Sequence, residues 1–479
     1  MFKEVLKNKK IILFIITLLL SIISYSNFLP EYYSMDTGKI IKDGYMSYGM
    51  QYSLQDGRIF SFLIFYIAEI INISLKSLWQ ILLISAIIIS SISVIKVYHI
   101  IIKIKPATNK KSDILMYLVS YCFIFNFMYI DGLEFAENLI IAFSILFYIK
   151  SAEEIIIKNR NLKGLLFFII GILFYQGTIN LYIATVILFL LISQEANKKQ
   201  IIKKLAITGT IAICVVGLDF LIINIIKSNM SVVQNSRLSW DLIENITKLK
   251  TNIPNLIIKS VKIFPNYLQI VLIAIILIII FIKNIKEKQP LKIINPICLI
   301  MVCYLSTLGL CILTPGMLTS SNGRMFIPTG IIISALLIYV YVKTNIFERK
   351  YLGKAIKIIT VSYFIINIIN TINVTGMLKE GNNIDREISN EIQQEIKKYE
   401  NETQIEIKYI AVKYRNDMEA DNKWLRSKKM LRAYNALVYK TYTGEEIEDT
   451  TFELEIKSKY FNLTEKLIQC IDETVYVYM

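Results

Sequence analysis

The chain has 479 residues, 54% of them hydrophobic, a mean hydropathy of +0.51 and a net charge of +15. Apolar runs of roughly 17–25 residues recur, each long enough for a ~30 Å hydrocarbon core, which excludes a soluble globular protein; the ~10-residue alternating strands of a β-barrel are missing. Residues 1–373 hold 37 basic and 18 acidic side chains, whereas 374–479 hold 16 and 20, so the excess marks basic loops beside anionic lipid rather than a nucleic-acid surface.

The first span is expected over Ile11–Leu29, behind a basic N-terminus that resembles a retained signal anchor. With that end in the cytoplasm, the loop Pro30–Arg58 lies outside. It carries Asp36, Asp43, Asp56 and Arg58. Ile59–Ile73 contains Glu69 and Asn72 and is read as an interfacial helix, because a crossing there would put the lysines after Ile102 on the outer side. Further spans are expected over Leu78–Ile102, Asp113–Ile130, Leu139–Ile149, Gly164–Phe174, Thr178–Ser193, Leu205–Ile226, Tyr267–Ile282, Ile293–Leu313, Met325–Val342 and Ala355–Ile372. Each inferred inner loop carries at least four Lys or Arg, and the outer turn Asp131–Asn138 carries none. The fold class is therefore an α-helical polytopic membrane protein of about eleven spans in the cell membrane. Its N-terminus is cytoplasmic and its C-terminus extracytoplasmic.

Residues 374–479 are expected to form a separate small α/β domain. Helical spacing covers Ile384–Tyr399 and Lys428–Tyr439, and strand patterns cover Gln404–Arg415, Phe452–Ile456 and Val475–Tyr478. No repeat and no glycine-rich nucleotide fingerprint occurs. The six cysteines have no metal-type spacing, and the lone His99 sits beside Lys96 and Lys103 at a helix end.

Charges beside membrane helices are functional candidates by default. On the outer side two acidic turns, one with Asp36 and Asp43 and one with Asp131, Glu134 and Glu137, flank the same pair of spans. If those spans pack, the carboxylates converge, and one can act as base on a hydroxyl. Arg58 and Arg324 have the planar fork that grips phosphate oxygens. Tyr175-Gln176 lies between two short legs, a polar break that lines a cavity or is an ordinary outer turn.

Three stretches resemble the bacterial Gtr-type membrane glucosyltransferase domain family, of the GT-C class. They are Ser34-Met35-Asp36-Thr37 with Asp56-Gly57-Arg58-Ile59-Phe60-Ser61; Phe174-Tyr175-Gln176-Gly177-Thr178-Ile179-Asn180-Leu181; and Gly323-Arg324 entering a late span. The likeness covers roughly residues 1–375. It implies transfer of a hexose, glucose by the family's habit, from a polyprenyl-phosphate carrier to a cell-surface polysaccharide or related acceptor outside the membrane. It also implies Asp36 as the general base or as the group that orients the acceptor, with Asp43 or Asp131 as the second carboxylate. Arg58 and Arg324 would sit on the phosphate, and Glu134, Glu137, Tyr175 and Gln176 would line the sugar cleft. The family often has two adjacent acids where this chain has Asp36-Thr37, which leaves the second carboxylate open. A divalent metal is likewise left open as cofactor. The competing readings are a transporter, flippase or polymerase of lipid-linked saccharides, and a scaffold displaying the tail.

Overall fold

The protein is described from a computed structural model, over residues 2–30, 32–193, 198–229, 243–248, 250, 268–313, 323–413, 435–451 and 467–478. It is a helical bundle carrying a small sheet. Among the described residues six helices are long and apolar enough to cross a membrane; four further apolar helices are shorter. Isoleucines and leucines line the outside, Ile11, Ile81, Ile213, Ile278 and Ile358 among them, each more than a third exposed. That exposure suits lipid, where helices satisfy their own backbone.

Helix α1 (Phe2–Ser24) leads into the loop that carries Tyr32, Tyr33 and Ser34. There α2 (Met35–Tyr48) begins on a capping box: Ser34 Oγ accepts from Thr37 N, and Thr37 Oγ1 accepts from Ser34 N. Gly44, at φ 79°, breaks α2, and the Glu69 carboxylate receives Met46 N at 3.3 Å across that break. The 12-residue α3 (Ile59–Ile70) shows Ile67 and Ile70 to the outside. At about 18 Å it is too short to cross.

The bundle is centred on α6 (Asn138–Ala152). It packs on α4 (Leu75–Ile104), which also meets α5 (Lys110–Ile124), and on α7 (Asn161–Phe174), with α8 (Ile179–Ile192) alongside. Helices α9 (Lys198–Ser228), α10 (Leu268–Lys286) and α11 (Ile294–Leu313) lie further out, while α12 (Ile332–Lys343) is buried. Helices α6, α7 and α8 have 14 or 15 residues, about 21–22 Å, and α6 runs on directly into a π-helical stretch over Glu153–Ile157.

One helix crosses the expected boundary at residue 374. A single helix, α13, runs from Lys350 to Thr403, 54 residues or about 80 Å. Its first part is apolar; beyond it Val374, Leu378, Asn382, Asp385, Ser389, Ile392 and Ile396 stay buried on one face. That three-to-four spacing continues across the change from apolar to charged composition, so nothing stops the helix. It ends where Gln404 turns left-handed at φ 59°.

Within the expected strand Gln404–Arg415, β1 covers Tyr409–Lys413, and residues 414 and 415 lie outside the described residues. Helix α14 is described over Asn435–Thr443, within the expected Lys428–Tyr439 helix and four residues past its end; residues 428–434 and the expected strand Phe452–Ile456 lie outside the described residues. Two further strands, β2 (Glu448–Asp449) and β3 (Leu467–Ile471), complete a four-stranded sheet with β4 (Thr474–Tyr478). The order is β2-β1-β4-β3, with β1 parallel to both neighbours and β3–β4 antiparallel. Its core joins Ile410, Val475 and Val477 to Ile392 and Ile396 of α13.

Candidate functional site

Five separate stretches meet at the end of the bundle where α6 begins. Glu137 occupies the N-cap position of α6, where the helix dipole favours an anion, and its side chain is 2% exposed. Both of its carboxylate oxygens accept from Nη1 of Arg58, at 2.8 and 2.9 Å. Ser53 and Ser61, 2.9 Å from each other, donate to Glu137 Oε1 at 3.5 and 3.4 Å. Arg58 reaches this place because Gly57, at φ 77°, turns the chain from a short 3-10 turn into α3. A Cβ at Gly57 would also lie 2.8 Å from Ile223 of α9, so only glycine fits.

The Arg58 cation stands 4.7 Å from the Tyr175 ring centre, and Asp56 is 3.4 Å from its Nη2. Its Nε is buried without a hydrogen-bond partner. Burial works against the Arg58 charge; the carboxylate of Glu137, then Tyr175 and Asp56, overcome it and raise its pKa.

Tyr175 closes α7 in an extended conformation, and Gln176 follows it into a 3-10 turn. Gln176 Nε2 donates to the Asp56 carbonyl at 2.9 Å and to the Asp219 carboxylate at 3.2 and 3.4 Å. The Tyr-Gln stretch therefore fixes the Arg58 turn and does not form an ordinary solvent-facing loop. On the other side, Asp131 sits in a one-turn helix over Ile130–Leu133 and receives the backbone N–H of Arg324 at 2.7 Å. The Arg324 guanidinium lies 3.9 Å from the Phe135 ring centre and 4.0 Å from Glu137 Oε2. Glu134, mostly buried, is near Tyr32; burial, then the Glu134 and Asp131 carboxylates, push the Tyr32 hydroxyl well above its ordinary pKa.

The structure thus brings together Arg58, Asp131, Glu134, Glu137, Tyr175, Gln176 and Arg324. Two of them pair with each other: Glu137 is the buried counter-ion of Arg58, which binds it through Nη1. Asp43 is not brought in: it is half-buried on α2 with no hydrogen bond or ion pair among the described residues. The backbone of Asp36 lies in the first turn of α2, beside the Tyr32 loop, and its side chain lies outside the described residues. Asp219 was missed by sequence reasoning. It is 5% exposed within α9, and a lone acid between Leu218 and Phe220 in an apolar span was a usable signal.

The group counts Asp56, Asp131, Glu134, Glu137 and Asp219 against Arg58 and Arg324, a formal excess of acid. Among the described residues no set of three or more His, Cys, Asp or Glu is placed to hold a metal ion. A stack of phenylalanines leads away from it. Phe60 beside Arg58 stacks on Phe174 at 4.3 Å, and Phe174 on Phe143 and Phe147 at 4.8 and 5.8 Å. Lys150 lies over Phe147 and Phe167 at the far end, about 18 Å along α6. No protein-family model, curated protein or solved structure matches this chain.

Proposed function

We propose that the protein is a membrane glycosyltransferase with eleven crossings that moves a hexose from a polyprenyl-phosphate carrier to a surface polysaccharide or related acceptor on the outer face. The observation that carries this reading is the convergence of acidic and arginine side chains from distant stretches at one recessed end of an apolar bundle, around the buried Arg58–Glu137 pair. Buried charge of this kind in a membrane protein is costly and marks function. The basic loops at the opposite end support an outward-facing site.

In the proposed step an acceptor hydroxyl attacks the anomeric carbon. A carboxylate, Asp36 or Asp131, takes the hydroxyl proton, and the bond from the anomeric carbon to the phosphate oxygen breaks. The polyprenyl phosphate leaves with the bonding pair. Arg58 and Arg324 are the cations for that phosphate, with Glu137 beside both. The half-buried phenylalanine stack gives the isoprenoid chain an apolar track ending at Arg58.

The test is transfer of labelled glucose from polyprenyl phosphate in proteoliposomes. Asp36→Asn is expected to lose transfer while inserting normally; full activity in that variant removes Asp36 from the mechanism.

A further inference from the structure

The tail domain is docked against the loop that carries Asp36. Tyr33 N donates to Asn382 Oδ1 at 2.7 Å, and Asn382 Nδ2 returns a bond to Tyr33 O at 3.1 Å. The Tyr33 ring meets Tyr442 edge-on at 5.7 Å. A Cβ built on Gly38 would be 3.1 Å from Leu437 Cδ2, so α2 and α14 touch at a position with little room for a side chain. These contacts fix the sheet relative to the first turn of α2.

Beside that contact a cleft of about 570 Å³ opens between α2 and the sheet, within the size range of ligand sites. Lys42 of α2 forms one side; Glu406, Tyr409, Lys440, Glu448 and Asp449 are on the other. Three lysines and four carboxylates line it in all. Lys440 pairs with Glu446, and Asp449 Oδ1 caps Ala436 N at 2.9 Å. Lys42 and Glu448, both exposed, have no side-chain hydrogen bond or ion pair among the described residues.

We propose that this cleft binds a neutral saccharide chain, the acceptor itself. Ammonium donors interleaved with carboxylate acceptors suit hydroxyl groups, which both donate and accept, and the half-buried Tyr409 ring offers an apolar face. A phosphate-rich chain would instead meet four carboxylates. Lys42 lies six residues, about 9 Å, along α2 from Asp36, so a chain held here ends beside the site. The word acceptor rests on the transfer reading; saccharide binding does not.

The full-length protein in nanodiscs is to be titrated calorimetrically with maltohexaose, cellohexaose, chitohexaose and a glycerol-phosphate hexamer. At least one neutral chain is expected to bind, and the double variant Lys42→Ala with Glu448→Ala to weaken it at least tenfold. Both side chains are exposed, so folding does not depend on them. Binding of none of the neutral chains, undiminished binding in the double variant, or binding of the glycerol-phosphate chain alone overturns the proposal. If wild-type protein transfers no sugar yet binds a neutral chain with this dependence, the transfer reading falls and the cleft stands.

Discussion

Helix α6 has a buried charge cluster at each end, about 24 Å apart, and the two are built differently. Beyond its inner end, a π-helical turn over Glu153–Ile157 holds Glu153 and Glu154. Lys96 pairs with Glu153. Lys158 reaches both acids at 3.0 and 2.7 Å, and Arg160 lies 3.9 Å from Glu154. Three cations cover two acids, and most of the pairing is local in sequence. At the outer end two arginines face five acids, and the partners come from stretches up to 193 residues apart. The inner cluster is a staple that neutralises itself. The other counts more acids than arginines among the described residues, and buried charges of that kind are functional candidates.

The largest effect that separates the two ends is expected from Arg58→Ala. It leaves Glu137 buried without its counter-ion, which costs ~3–5 kcal/mol in such pairs, and transfer should fall by about 10²–10³-fold or more. Arg58→Lys keeps the charge but loses the planar fork, so it should insert normally and still lose activity. Lys158→Ala at the inner end should cost roughly 1 kcal/mol, as partly exposed pairs do, with transfer within twofold of wild type. Equal losses in transfer at both ends would dissolve the distinction between staple and site. Detergent melting curves and proteoliposome transfer measured side by side decide it.

A middle-sized effect should come from Asp219→Asn. The acid holds Gln176, which holds the carbonyl of Asp56 and so the turn bearing Arg58. Small misplacement of a catalytic group can cost ~10²-fold. The loss should fall on kcat with KM little changed, and Gln176→Glu, which places two acids against each other, should reproduce it. A loss confined to KM would move Asp219 from positioning to substrate binding.

How much of this was legible is uneven, for physical reasons. Apolar runs announced the helices because bilayer thickness sets their length, and the special chemistry of Asp56-Gly57-Arg58 and Tyr175-Gln176 announced where they turn. The bond between Arg58 and Glu137 was not legible, because it depends on how α3 lies against α6 across 79 residues. The unbroken helix through residue 374 was not legible because composition shifts there while helical spacing does not. Gly376 and Gly381 lower helix propensity by ~1 kcal/mol each, too little to end a helix whose buried face continues.

The smallest effect sharpens the comparison through pH. Burial alone would raise the Glu154 pKa, but the Lys158 hydrogen bond and charge, with Lys163 and Arg160, outweigh it and hold it below its ordinary value. A carboxyl whose folded pKa is depressed adds stability above its unfolded pKa, and that stability disappears as pH falls through the folded one. The staple should therefore contribute fully at neutral pH and fade below the ordinary carboxylate range. Melting of wild type and Glu154→Gln, compared from pH 7 to pH 3, should show a stability difference that narrows as acid is added. Lys158 remains charged throughout this range, since its own pKa is raised: burial opposes the charge but Glu154 and Glu153 prevail, so the narrowing reports the carboxyl alone. A difference that stays constant with pH would mean that Glu154 stabilises by packing, and the inner cluster would then lose its standing as an electrostatic staple.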